Sequence, residues 1–449
     1  MTVPQSSAAD RVWVDEAVGQ MAPSPYAYAM VALCAAIGIA EGYDTQLMAF
    51  AAPLVAREWG LSSGAVGALL AASIVAMVLA NFVLAPLGDK WGRRPAILGA
   101  LALVAAASGA GAFAPDFGWL LAFRALAGLG LGLAFPTVIA LAMELMPRRL
   151  HAMSVVVVGC GYPIGGAVGG LIAAGLIDDH GYPAVFLLGG FATAALFLLC
   201  LPFLPESPLW LARHAPQRPA LPRLLARLGV PASPGTSMFG IKAPPVGRSS
   251  VAALFSDGRR ARTLLMWLIN FANLSMVYYY IIWLPSILVN AGMTPSSAAS
   301  ALAMFSGSGV IGGLVLGALL RRAGPARVLG GAYGAAALFI LVLAMTPVTA
   351  DGFLALLAVS ATVTIGSQFC LTAVVNQYYP SDIRITAAGW AGGVGRLGAI
   401  AAPAIGAAIV HADGSYWIAI GAGVVPAVVA FLTLIILVFA APLNLDERQ

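Results

Sequence analysis

From Leu61 to Leu87 the chain carries no charged side chain, and from Tyr416 to Leu443 it again carries none. Neither run alternates apolar with polar residues as a barrel strand would, and each exceeds the roughly 20 residues that take an α-helix across a bilayer. Composition agrees with a membrane chain. Hydrophobic residues make up 61% of the 449 and charged residues 9%, with a mean hydropathy of +0.93, which excludes a water-soluble domain. The sequence therefore predicts an all-α, polytopic membrane protein. Cys34, Cys160, Cys200 and Cys370 lie far apart inside apolar runs, so they read as core fillers, and no metal site or thiol chemistry is expected. Asp10, Arg11, Asp15 and Glu16 precede the first apolar run. That is not the basic-then-apolar order of a cleaved signal, so the amino terminus is expected to stay, on the inner side.

Polar or Pro/Gly turns divide the chain into twelve spans of about 20 to 27 residues, beginning near residues 27, 63, 96, 119, 151, 183, 263, 296, 327, 353, 385 and 416. Charges in the connecting loops alternate in sign. Lys90, Arg93 and Arg94 are followed by Asp116, then Arg148 and Arg149 by Asp178 and Asp179, Arg321, Arg322 and Arg327 by Asp351, and Arg384 by Asp413. Basic loops face the cytoplasm in such chains, so both termini are expected there, with Arg57 the one basic residue outside the spans on the outer side. The net charge of +5 then reports topology. Nothing suggests nucleic acid, since the stretch from Arg213 to Arg262 lacks interleaved aromatics. The expected organisation is an N-terminal segment 1–26, a six-helix half 27–204, a central cytoplasmic loop 205–262, a second six-helix half 263–442 and a tail 443–449. Similar features recur about 230 residues apart, Gly88 with its basic loop answering to Gly317 with Arg321 and Arg322. Duplicated halves are how secondary transporters build a site at their shared interface.

Three places put charge inside the bilayer. Glu41-Gly42-Tyr43-Asp44 sets two carboxylates on one face of the first span, with a glycine that permits close approach or local unwinding. Arg124 in the fourth span needs an acid partner, and at about 1.5 Å per residue it lies at a depth similar to Asp44. A purely structural pair is one reading. The other is proton coupling, because two acids beside one arginine leave a carboxylate without a counter-charge, and Asp44 is the better placed to carry the proton. The third charge is Arg396, near the midplane of span eleven, in a half whose spans contain no acid. Either an anionic ligand or a cross-interface pair with Asp44 or Glu41 would neutralise it. Tyr278, Tyr279 and Tyr280, with Asn270, Asn273 and Gln368, offer ring-stacking surface and hydrogen bonds near the junction of the halves. His151, His180, His214 and His411 lie near span ends or in loops, no nucleophile and base pair up, and an enzyme is not expected.

The loop after span two reads Leu87-Gly88-Asp89-Lys90-Trp91-Gly92-Arg93-Arg94-Pro95. Glycine permits tight turns, Asp89 can face a helix amino terminus, and the arginines can bridge to Glu144, which makes a breakable latch joined by Arg148 and Arg384 at the same end. This loop resembles the signature loop of the major facilitator superfamily, where it holds the halves together on the cytoplasmic side in the outward-open state. Arg124 followed by Gly128, Gly130 and Gly132 resembles that superfamily's second signature.

A narrower resemblance covers nearly the whole chain. Glu41 to Asp44, Leu204-Pro205-Glu206-Ser207-Pro208, Trp283-Leu284-Pro285, and the pattern Tyr379, Pro380, Ile383, Arg384, Gly389, Trp390, Gly395, Arg396, Leu397, Gly398 together resemble the aromatic acid:proton symporters. One departure is Glu41, where many members have Asp. The resemblance implies the major facilitator fold of two pseudo-symmetric six-helix halves. It also implies import of a benzoate-, hydroxybenzoate- or phenylpropanoate-like acid with a proton, by a monomer in the inner (plasma) membrane without a cofactor. Substrate is then expected at Arg396, Tyr278, Tyr280, Asn273, Gln368 and Tyr43, and the proton at Asp44, Glu41 and Arg124. Symport of another organic anion, such as an aliphatic dicarboxylate or a sugar acid, is the alternative. A drug/proton antiporter is disfavoured by the loose match at Gly159-Cys160-Gly161-Tyr162-Pro163, and a non-transporting sensor by the intact acids of span one.

Overall fold

A computed structural model of the chain describes residues 11–230, 238–242, 251–256, 258–379, 383–412 and 415–440. Within them eleven segments are long and apolar enough to cross a membrane. The longest, Arg148–Phe203, is two spans joined at Gly181, whose φ of 68° and ψ of −168° break the helix there. Only glycine takes that backbone conformation without strain, so the chain crosses twelve times.

Local chemistry sets the span starts. The side chains of Ser24, Ser62, Asp116 and Thr294 accept from the backbone N–H three residues on, at 3.2, 3.3, 3.0 and 3.2 Å, filling one of the orphan donors of each new helix. They begin spans one (Pro25–Trp59), two (Ser63–Val83), four (Phe117–Glu144) and eight (Pro295–Ala323). Span twelve is broken into Tyr416–Gly421 and Val424–Ala440, where Pro426 cannot donate the next helical bond. The hydroxyls of Tyr279 and Tyr280, in span seven (Arg260–Asn290), donate to Ala419 and Ile420 carbonyls beside that break, at 2.5 and 2.6 Å.

Spans one and five run in backbone contact. A Cβ on Gly42 would strike the main chain of Tyr162, and span one is a single unbroken helix, so Gly42 provides close approach and no unwinding. The two halves repeat one crossing. Gly128 and Gly132 of span four press on the backbone of span two, and in the second half Gly312 of span eight presses on Thr362 of span ten.

Along span eleven (Arg384–Ala412), residues 389, 392, 396, 403 and 407 share one stripe. At its far end that stripe touches span two, since a Cβ on Gly67 would lie 2.9 Å from Ala407 and 3.3 Å from the Pro403 carbonyl. Gly389 and Gly392, toward the end with the Gly88 loop, face open space. Ser296 donates to Asp178 at 2.6 Å across the two halves, also at the far end. The halves therefore meet at the end carrying Asp178, and Phe82 of span two still comes up to Gly393 of span eleven toward the basic end, beyond which Gly389 is clear of neighbours. Below the first half, at the basic end, a small layer forms from helices Val14–Gln20, Pro208–His214 and Ala220–Leu228. The strands Arg11–Trp13 and Met238–Gly240 pair in parallel beside it.

Candidate functional site

Span one delivers both acids to the bilayer interior, because its packing against span five turns residues 41 to 44 inward. Asp44 and Arg124 form a buried ion pair, Nη1 to Oδ1 at 3.1 Å, with relative exposures of 0% and 1%. The pair is heavily supported. Arg124 Nη2 donates to the Asp44 carbonyl at 2.9 Å and to Ser73 at 3.2 Å, and Ser108 donates to the second Asp44 oxygen. A buried pair needs such bonds to offset its desolvation.

Glu41 is different. It is buried, and its Oε1 has no hydrogen-bond partner among the described residues. The sequence reading placed the proton on Asp44 first, whereas the geometry commits Asp44 to Arg124 and leaves Glu41 as the uncompensated acid. Tyr162 sits beside Glu41 and Thr45, and its hydroxyl lies 3.3 Å from that of Tyr278 in the other half. A second polar bridge joins the halves, Ser306 donating to Gln46 Oε1 at 2.8 Å. Sequence reasoning missed Ser73, Ser108, Tyr162, Gln46 and Ser306. Each is a polar residue inside an apolar span, and a census of those would have raised them.

On the other side, Arg396 is half-buried on the stripe of span eleven that meets span two farther along, with no ion pair or hydrogen bond from its side chain among the described residues. It does not pair with Asp44 or Glu41. Asn273 is fully buried and donates to Ser367 at 2.8 Å, while its Oδ1, the Gln368 Oε1 and the Thr364 hydroxyl have no partner among the described residues. Tyr278 faces the first half as expected. Tyr280 does not, since its hydroxyl is spent on Ile420 within the second half. Tyr43 also turns from the interface, donating to the Val185 carbonyl at 2.8 Å and stacking on Phe50.

The latch residues gather, with a change of roles. Arg93 pairs with Asp89 one turn back and with Glu144 at 3.1 Å, and Gly88 packs on Thr137. The amino terminus of span three (Arg93–Gly111) is met by Glu206 instead of Asp89, its Oε1 accepting from Arg93 N at 2.7 Å and Arg94 N at 3.3 Å. Burial pushes the Glu206 carboxyl up from its ordinary value, while those N–H donors pull the other way. Gly92, at a φ of 110°, leaves the room that Glu206 occupies. Arg94 donates to the Leu201 carbonyl at 2.6 Å. Arg148 lies apart, packed on Gly19, and the side chain of Arg384 lies outside the described residues. All the latch bonds seen among the described residues lie within the first half and the start of the central segment.

The sequence profile of the Major Facilitator Superfamily matches residues 34–376. Among curated proteins, a gallate transporter of Pseudomonas putida is 32% identical over 86% of this chain and 86% of its own. The 4-hydroxybenzoate transporter PcaK of Pseudomonas aeruginosa is 31% identical over 96% of each, and the 3-(3-hydroxy-phenyl)propionate transporter of Escherichia coli 31% over 83% of this chain and 84% of its own. Of solved structures, a D-xylose-proton symporter superposes with a TM-score of 0.69 at 18% identity, covering 92% of this chain and 97% of its own. A bacterial homologue of the human lysosomal transporter Spinster, inward-facing and occupied, gives 0.71 at 15% identity, covering 95% and 99%.

Proposed function

Because the chain belongs to the Major Facilitator Superfamily, among its aromatic acid transporters, we propose that it imports an aromatic carboxylate together with a proton by alternating access. One observation carries the mechanism. Among the described residues, Glu41 on the first half is an acid without a counter-charge and Arg396 on the second is a cation without one. Arg396 grips the substrate carboxylate through a two-pronged contact. Glu41 takes the proton, while the Asp44–Arg124 pair stays charged and holds span one in place. Tyr278, Asn273 and Gln368 line the path of the ring and its hydroxyl substituents.

Coupling follows from charge. Moving a monoanion inward against an inside-negative potential costs about 2.3 kcal/mol per 100 mV, and one accompanying proton cancels that charge. With the basic loops in the cytoplasm of the inner membrane, as the loop charges favour, both termini are cytoplasmic. One chain contains every residue of the site, so it works as a monomer, with the proton as the coupling ion and no cofactor in the scheme.

The test is transport by proteoliposomes with labelled benzoate, hydroxybenzoates, a phenylpropanoate, an aliphatic dicarboxylate and a sugar acid. Aromatic acids should accumulate when the outside is acid and only exchange when no gradient is imposed. Accumulation of the dicarboxylate or sugar acid in preference to every aromatic would transfer the assignment to another organic anion.

A further inference from the structure

On the flank of the first half, away from the substrate interface, a cavity of about 560 Å³ opens among the basic-end termini of spans one, three and six and the helix Ala220–Leu228. Spans three and six pack against first-half helices and the cavity has no second-half residue in its wall, so it is separate from the site above. Four arginines line it, Arg94, Arg218, Arg223 and Arg227, against one carboxylate, Glu206. That carboxylate is already committed to the backbone N–H groups of Arg93, Arg94 and Ser207. Arg218 and Arg223 have no ion pair or side-chain hydrogen bond among the described residues. Arg227 lies over the Tyr26 ring at 5.6 Å, which fixes its guanidinium at the rim.

The placement of the arginines has a local cause. In Ala220–Leu228 the leucines 221, 224, 225 and 228 are buried against the span ends, which turns Arg223 and Arg227 outward into the cavity wall. The Ser24 hydroxyl donates to the Arg227 carbonyl at 2.9 Å, tying this helix to the start of span one. The remaining wall is largely apolar, with Trp91 58% and Phe203 57% exposed at the level where the spans end.

We propose that this cavity binds the phosphate of an anionic phospholipid from the leaflet that faces the basic end. A basic pocket between span ends matches a phosphodiester headgroup, and the exposed Trp91 and Phe203 give the glycerol and upper acyl chains an apolar surface that a soluble phosphate would leave unused. The bound lipid bridges Arg218 and Arg223 of the central segment to Arg94 at the head of span three. It thereby braces the segment next to the Arg93–Glu144 pair and makes turnover depend on lipid charge.

Native mass spectrometry of the purified full chain with phosphatidylglycerol and phosphatidylcholine of identical acyl chains tests this. The parent should retain one phosphatidylglycerol in clear preference. Arg218→Gln/Arg223→Gln should lose that preference by roughly fivefold per arginine, about twenty-five-fold for the pair, with its melting temperature unchanged. Arg218→Lys/Arg223→Lys should keep most of it. Equal retention of both lipids by the parent, or undiminished preference in the double glutamine variant, would overturn the proposal. So would millimolar inorganic phosphate that binds without lipid and displaces phosphatidylglycerol, which would make this a soluble-anion site.

Discussion

The first six spans hold two acids and an arginine inside the bilayer, whereas the last six hold one arginine and no acid. In the first half the charges are mostly spent on each other: Asp44 and Arg124 satisfy one another, with serines from spans two and three completing the shell. The second half spends its polarity on neutral bonds such as Asn273 to Ser367 and the tyrosines on span twelve, and leaves Arg396 over. In the proposed function, halves with the same fold divide the labour, one handling the proton and the other the anion. A transporter that bound both on one half would not need the interface to couple them.

The sharpest way to break this comparison is at the ion pair. Asp44→Asn leaves Arg124 buried without a counter-charge, which costs about 3–5 kcal/mol; thermal melting in detergent should show a large loss, and Asp44→Asn/Arg124→Gln should recover part of it. If the single variant melts like the parent, Asp44 is no structural anchor and returns as the candidate proton carrier. Next in size, Arg396→Ala should weaken aromatic carboxylate binding roughly hundredfold by titration calorimetry, the loss of one charge-assisted bidentate contact. Arg396→Lys should keep weak binding with less discrimination among ring substituents. Affinity within threefold of the parent in the alanine variant would remove Arg396 from the site.

Glu41→Gln should abolish accumulation and spare exchange. A pH gradient of about one unit is worth about 1.4 kcal/mol, or tenfold accumulation for one proton, so the variant should fall from tenfold to no accumulation in proteoliposomes while counterflow continues. Normal pH-driven accumulation would acquit Glu41. Smaller again, Arg93→Ala removes the Glu144 pair and should slow turnover several-fold with little change in substrate affinity, because the latch biases access states without touching ligand. A rise in dissociation constant at unchanged maximal rate would contradict that. Smallest is Gln46→Leu, which removes one buried bond between the halves. It should shift the balance of access states by about 1 kcal/mol, readable as increased labelling of a cysteine placed at the end carrying Asp178. Labelling equal to the parent would show that the Gln46–Ser306 bond does not hold that end shut.

Twelve crossings, the two halves, the family and the four intramembrane charges were all legible in the chain itself, because each rests on a signal written in consecutive residues. A bilayer demands about 20 apolar residues per helix, capping residues such as Ser62 and Thr294 announce the starts, and any arginine or acid inside a span stands out against its neighbours. Which acid is paired and which is free was not legible, since Glu41 and Asp44 lie one helical turn apart on the same face and differ by a single methylene. That difference is settled by depth and by Ser73 and Ser108, which come from other helices. The turn of Tyr280 onto span twelve, the replacement of Asp89 by Glu206 at the head of span three, and the gathering of four arginines beneath spans three and six were equally hidden. In each case the partner lies about a hundred or more residues away in sequence or on a separate helix, and only packing in three dimensions chooses among the many polar groups that local chemistry would accept.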